Sequence, residues 1–222
     1  NYTYVMDKMQ YGKLFLNNVI ITVIGIVGII IFSSMSAYII SRKKNKYTRF
    51  AQFMITTPML IPFQTIMITL LKVMNVVNLS GSKVGLGIQY WGFGIPMAAF
   101  IYGNFMSTIP KELDESAFID GAGTFRTYRS IIFPLLKSVT FTVIVIDVMW
   151  IWNDFLLPLL MVNSSNETKT LVLSAYTFVG QFNTQWHYAM AAMVLAVLPS
   201  IIIFIFLQKY IVEGVVAGAV KG

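Results

Sequence analysis

Three long runs of this sequence contain no charged side chain. Lys13 and Arg42 bracket 28 uncharged residues at 14–41, Arg49 and Lys72 bracket 22 at 50–71, and Lys83 and Lys111 bracket 27 at 84–110. A helix needs about 20 apolar residues to cross the roughly 30 Å of hydrocarbon in a bilayer, so each run is long enough. Two further stretches qualify: 138–161, which carries Asp147, Asp154 and Pro158, and 188–208, which ends at Lys209. Composition agrees, with 57% hydrophobic and 11% charged residues in a chain of 222; soluble domains carry about 25% charged. A soluble globule, a disordered chain and a nucleic-acid binder are therefore poor readings. No cysteine is present, which removes disulfides, thiolate nucleophiles and Cys-based metal sites. The expected fold is all-α, a polytopic transmembrane helix bundle with five spans at about 14–40, 50–71, 85–107, 138–161 and 188–208. Pro96 and Pro199 are tolerable inside such spans, because neighbouring helices can satisfy the freed carbonyls.

The basic residues orient the bundle. Arg42, Lys43, Lys44, Lys46, Arg49, Lys111, Arg126, Arg129, Lys137, Lys209 and Lys221 would share one side, against Lys8, Lys13, Lys72, Lys83 and Lys169 on the other. The excess of Lys and Arg marks the cytoplasmic side, so the C-terminal tail at 209–222 is expected inside and residue 1 outside. The net charge of +7 then reads as basic loops facing an anionic membrane surface. The loop at 162–187 would be external and polar. The loop at 109–137 would be cytoplasmic.

That cytoplasmic loop carries the richest pattern. Pro110 suits a first helical position, and Glu112, Asp114 and Glu115 put negative charge in a first turn, where the helix dipole favours it. Leu113 and Ala117 stand four apart on one face. Gly121 and Gly123 are expected to stop the helix through left-handed backbone, and Thr124 to cap a second one carrying Arg126 and Arg129. Small residues at Ser116, Ala117 and Ala122 allow another surface to approach closely.

The run Glu115-Ser116-Ala117-Phe118-Ile119-Asp120-Gly121-Ala122-Gly123, followed by Ile131-Ile132-Phe133-Pro134-Leu135, resembles the EAA loop of ABC-importer permeases. Ser116 stands where alanine is usual, and Phe133 where leucine commonly precedes the proline. Thr57-Pro58-Met59-Leu60-Ile61-Pro62-Phe63-Gln64, Trp152-Asn153-Asp154-Phe155-Leu156-Leu157-Pro158-Leu159 and the tail from Gln208 to Gly222 look like the maltose-type, carbohydrate-uptake branch, and the loop together with the tail resembles its second and smaller permease subunit. The resemblance implies a type I importer fold with a cytoplasmic coupling helix and six spans, so that one span would precede residue 1. It also implies a permease subunit forming half of the path of an ATP-driven, binding-protein-dependent sugar importer in a bacterial cell membrane. Its partners would be a second permease subunit, an ATP-binding cassette ATPase dimer and an extracytoplasmic sugar-binding protein. ATP and Mg would belong to the ATPase. Glu115, Ser116, Ala117, Asp120, Gly121, Ala122 and Gly123 would make the docking surface.

A second group lies in the fourth stretch. Asp147, ten residues beyond Lys137, sits roughly 15 Å deep at 1.5 Å per residue. An unpaired carboxylate there costs on the order of 2.5–3.5 kcal/mol, so it should face protein or water. Asp147, Trp150 and Asp154 fall at i, i+3 and i+7, with Trp152 and Asn153 beside them. Aromatic rings and carboxylates suit a sugar pathway; an interhelical hydrogen bond for Asp147 and an interface belt for the tryptophans explain them as well. A self-contained ion-coupled carrier using Asp147 is the rival reading, and it leaves the cytoplasmic loop unexplained. His187, alone and beside Trp186, makes no metal site. No G-x-x-x-x-G-K-[ST] occurs, so the chain lacks the phosphate cradle of an ATPase and is not expected to be an enzyme.

Overall fold

The computed structural model describes residues 1–163, 165, 167–179 and 185–219, the last eleven by their backbone alone. Among them there is no strand. Twelve helices run α1 Tyr2–Met9, α2 Tyr11–Arg42, α3 Lys46–Thr56, α4 Phe63–Val76, α5 Lys83–Met106, α6 Glu112–Ile119, α7 Thr124–Thr127, α8 Phe133–Leu135, α9 Lys137–Asn153, α10 Leu156–Met161, α11 Leu171–Ala175 and α12 Trp186–Ala219. Three of these, α2, α5 and the 186–208 part of α12, are long and apolar enough to cross a membrane; the number reaches five if each of two bent pairs counts as one span.

Two of the expected spans are not single rods. The stretch 50–71 is not one rod: α3 passes into a tight 3₁₀ turn at Thr57–Leu60, and the chain restarts as α4 after Pro62. Proline forces its predecessor out of helical geometry, and Ile61 is extended at ψ 116°. The stretch 138–161 breaks at Asp154 and Phe155, where the Leu156 amide donates to Asp154 Oδ1 at 3.1 Å and opens α10. Two loops hold more order than their polarity suggests. Residues 2–9 form α1, and α11, inside the expected external loop, buries all five of its residues. Helix α12 runs on to Ala219, through most of the expected tail, while Lys221 lies outside the described residues.

The chain divides into two compact units. Among the described residues, the first takes those of 1–26, 62–90 and 147–206, and the second those of 27–61, 91–146 and 207–219. Helices α2, α5, α9 and α12 contribute residues to both. The first unit has an apolar centre of Val5, Met9, Leu14, Trp152, Leu171 and Ala192. The second buries Ile29, Tyr38, Tyr102, Met106, Ile132 and Val143. Within it Gly28 lets α2 and α5 meet: a Cβ there would lie 2.0 Å from the Trp91 ring. No side chain larger than hydrogen fits.

Candidate functional site

The loop of the second unit folds as a short helix, a turn and a second helical segment. Helix α6 begins at Glu112 with Lys111 as its N-cap, so Pro110 precedes the helix rather than opening it. Its first turn holds Glu112, Asp114 and Glu115. At its end Gly121 has φ +79°, and the Ala122 amide reaches back to the Ala117 carbonyl at 2.9 Å. This is the left-handed closure that glycine accepts without strain. Gly123 does not share that role. Its φ is −73°, and it is itself the N-cap of α7, with Thr124 already helical and making no side-chain cap. The chain then passes through a wide turn at Tyr128–Ile132 before α8 and α9.

The inner face of α6 is fixed by a contact that sequence spacing did not reveal. Asp114 and Ala117 are its buried residues, whereas Leu113, expected on the face with Ala117, is exposed. Tyr38 donates its hydroxyl to Asp114 Oδ1 at 2.6 Å, and Arg42 Nε approaches Asp114 Oδ2 at 2.9 Å as an ion pair without hydrogen-bond alignment. Arg42 also donates from Nη1 to the Ile109 carbonyl at 3.1 Å. Removing one partner of such a buried pair strands the other charge, at about 3–5 kcal/mol. The second helical segment joins through Tyr128, whose ring lies 5.5 Å from that of Tyr38 and whose hydroxyl meets Ser34 Oγ at 2.7 Å. One signal was available: Tyr38 and Arg42 are four apart on α2, hence on one face. Their partner 72 residues beyond Arg42 was not visible.

The outer face of α6 is open. Glu115, Ser116, Asp120, Gly121 and Gly123 are exposed, Phe118 is 49% exposed and Ile119 86%. Ala122 is half-buried, and Ala117 packs inward at 4% exposure. The small side chain of Ala117 therefore serves the packing of α6 on its own unit, not the approach of another surface.

The first unit holds the other group of expected site residues, and most of their polar atoms are committed internally. Trp152 is 2% exposed; its indole N–H donates to the Ala196 carbonyl at 3.0 Å, and its ring meets Phe15 edge-on at 5.5 Å. A stacking face for sugar would have to be open, and this one is closed. Asn153 donates to the Met149 carbonyl and accepts from Ser200 Oγ. Asp154 accepts from the Tyr90 hydroxyl at 2.9 Å as well as from the Leu156 amide. Trp150 is 40% exposed and lies T-shaped against Tyr90 at 5.3 Å. Asp147 is 5% exposed, and no donor among the described residues hydrogen-bonds it, so the interhelical bond expected for it is not made there. Asn17 and Asn18 belong to this polar framework as well, and two adjacent amides inside a charge-free run are the sequence signal for it. They donate to the carbonyls of Glu167, Lys169 and Trp152, and Asn18 accepts from the Leu171 amide. Outside the spans, the Lys13 ammonium pairs with Glu167 and holds its carboxyl below the usual range. Among the described residues there is no cluster of three metal-ligating side chains.

Several helices long and apolar enough to cross a membrane, with an exposed loop helix anchored from within, are the architecture of a multi-span membrane protein. Residues 29–216 match the family described as binding-protein-dependent transport system inner membrane component, and the chain belongs to that family. It is 41% identical over 221 residues to the probable starch degradation products transport system permease protein AmyC of Thermoanaerobacterium thermosulfurigenes, covering 100% of this chain and 80% of that one. It is 35% identical to the multiple sugar-binding transport system permease protein MsmG of Streptococcus mutans (95% and 76% covered). The figure is 33% for the melibiose/raffinose/stachyose import permease protein MelC of Bacillus subtilis (100% and 80%). The fold matches a chain in the crystal structure of a bacterial ABC transporter that imports the polysaccharide alginate, with a TM-score of 0.80 and 22% identity over 94% of this chain and 78% of that one. The protein is thus a permease component of a binding-protein-dependent ABC importer, resident in the membrane. The ion-coupled carrier is not favoured.

Proposed function

We propose that this chain forms one half of the translocation path of a sugar importer, beside a second permease subunit, and that α6 is the element through which a separate ATPase dimer drives it. The named substrates of the relatives, from starch degradation products to melibiose, raffinose and stachyose, support sugars or short oligosaccharides as cargo. One observation carries the coupling role: α6 is anchored from within by Asp114 and open without, presenting Glu115, Phe118 and Ile119. A helix held that way moves as a rigid body when pushed, and α2, clamped through Arg42 and Tyr38, moves with it. ATP and Mg would be bound by the ATPase, and an extracytoplasmic sugar-binding protein would deliver the cargo. The basic-residue asymmetry supports a cytoplasmic position for α6 and the C-terminus.

Ile119→Arg tests the docking. At 86% exposure the change should leave folding and insertion intact, while sugar-stimulated ATP hydrolysis of the reconstituted complex falls by at least tenfold. Wild-type stimulation in that variant removes α6 from the coupling role. Orientation is tested separately by single cysteines, since the chain has none of its own. An impermeant thiol reagent on intact cells should label position 169 and spare position 44, and the reverse pattern inverts the topology.

A further inference from the structure

A cavity of about 630 Å³ opens in the second unit between the end of α2, α3, the end of α5 and the start of α6. Its charge is one-sided. Arg42, Lys44, Arg49 and Lys111 line it against a single Glu112. Arg42 is largely neutralised by Asp114, but among the described residues no ion pair engages Lys44, Arg49 or Lys111. All three are exposed. Away from this basic rim the wall becomes apolar, with Ala37 and Ile40 from α2 and Ala99 and Phe100 from α5. Gly103, also in the wall, would carry a Cβ with nothing within 4 Å, so the space beside α5 is unfilled.

Helix α3, which forms one side of the cavity, has the character of an element lying in a membrane interface. None of its residues is buried, and Tyr47, Phe50 and Phe53 are 72%, 63% and 59% exposed beside Lys46 and Arg49. Aromatic rings with basic neighbours are what the headgroup layer selects. Its start is fixed by Asn45, whose side chain accepts from the Tyr47 and Thr48 amides and so sets the position of Arg49 one turn on.

From this juxtaposition we infer that the cavity is a binding site for an anionic phospholipid, its phosphate held by Lys44, Arg49 and Lys111 and the start of an acyl chain laid along Ala37, Ile40 and Phe100. A free phosphate shares the headgroup chemistry but has no use for the apolar wall. Each basic residue near an anionic headgroup changes affinity about fivefold.

The test uses the assembled transporter in nanodiscs of phosphatidylcholine with or without phosphatidylglycerol, with lipid retention read by native mass spectrometry. The wild-type complex should retain phosphatidylglycerol preferentially. The double variant Lys44→Gln with Arg49→Gln should lose about 25-fold in affinity, and Lys44→Arg with Arg49→Lys should keep it. Gly103→Leu, which fills the apolar part and removes no charge, should also abolish retention. Equal retention by the glutamine variant, equal retention of phosphatidylcholine, or no retention by wild type (as when another segment of the complex fills the cavity) overturns the site. Displacement of phosphatidylglycerol by millimolar inorganic phosphate, with Gly103→Leu inert, makes it a soluble-anion site and overturns the lipid.

Discussion

In the first unit Asn17, Asn18, Trp152, Asn153 and Asp154 direct their polar atoms at backbone groups, neighbouring hydroxyls or, for Asn17, the Lys83 ammonium of the same unit. In the second, Tyr38 and Arg42 both pair with Asp114 beneath α6, while the outer face of α6 and the basic rim beside α3 stay unmatched. Both units must place polar groups in an apolar chain, and an unsatisfied buried group is expensive in either. The difference lies in what remains available. The first unit closes most of its hydrogen bonds around the loop segment Leu171–Ala175 and, among the described residues, leaves the Asp147 carboxylate, Thr22 Oγ1 and Gln89 Oε1 buried without a partner. The second closes only the inner side of its loop. Under the proposed coupling role, the contrast separates a region that holds its shape from one that would receive a push.

The sharpest way to break this comparison is Trp152→Ala. If Trp152 is packing, the deletion opens a cavity worth about 3–5 kcal/mol, and the yield of assembled complex collapses while the surviving fraction takes up sugar with unchanged apparent affinity. Normal yield with a tenfold change in affinity would return Trp152 to the pathway and make the first unit less closed than its geometry implies. Next comes Asp114→Asn. It leaves Arg42 buried without its counter-charge, at about 3 kcal/mol, the low end for one member of a buried pair. Stimulated ATP hydrolysis should persist while uptake falls, because α6 still docks but no longer drags α2. The double change Arg42→Met with Asp114→Leu should restore stability and not transport. Restored transport would mean that packing alone couples the two helices. The smallest effect sharpens the contrast from the surface of the first unit. Glu167→Gln should change neither uptake nor thermal stability measurably at neutral pH, since the pair with Lys13 is exposed. Whatever it contributes is present above the unfolded carboxyl's pKa and is lost as pH falls through the lower folded value. A large loss of stability in that variant would put a structural hinge at the Lys13–Glu167 contact.

Much of this architecture was readable from local chemistry. Charge-free runs located α2, α5 and the membrane part of α12, because no other fold hides so many consecutive apolar residues. Acidic residues in the first turn and Gly121 after the last one delimited α6, since helix dipoles and left-handed closures act within a few residues of chain. The same locality explains the errors. Gly123 looked like a second left-handed stop, and Asp154 looked like a continuation of the Asp147 face, because composition does not distinguish a helix from a helix that ends one residue sooner.

What the sequence determined by itself was the solvent, the spans' approximate places and the family motif in the loop. Tertiary structure decided which polar side chains are committed and which remain open: that the Trp152 indole donates to Ala196, that Asp114 meets Arg42 across 72 residues, and that Ala117 turns inward while Ile119 turns out. Apolar length and helix caps are properties of neighbouring residues, and so they are written in order along the chain. Which donor meets which acceptor depends on contacts between helices far apart in sequence, where several pairings satisfy the same local pattern and only packing in three dimensions selects one.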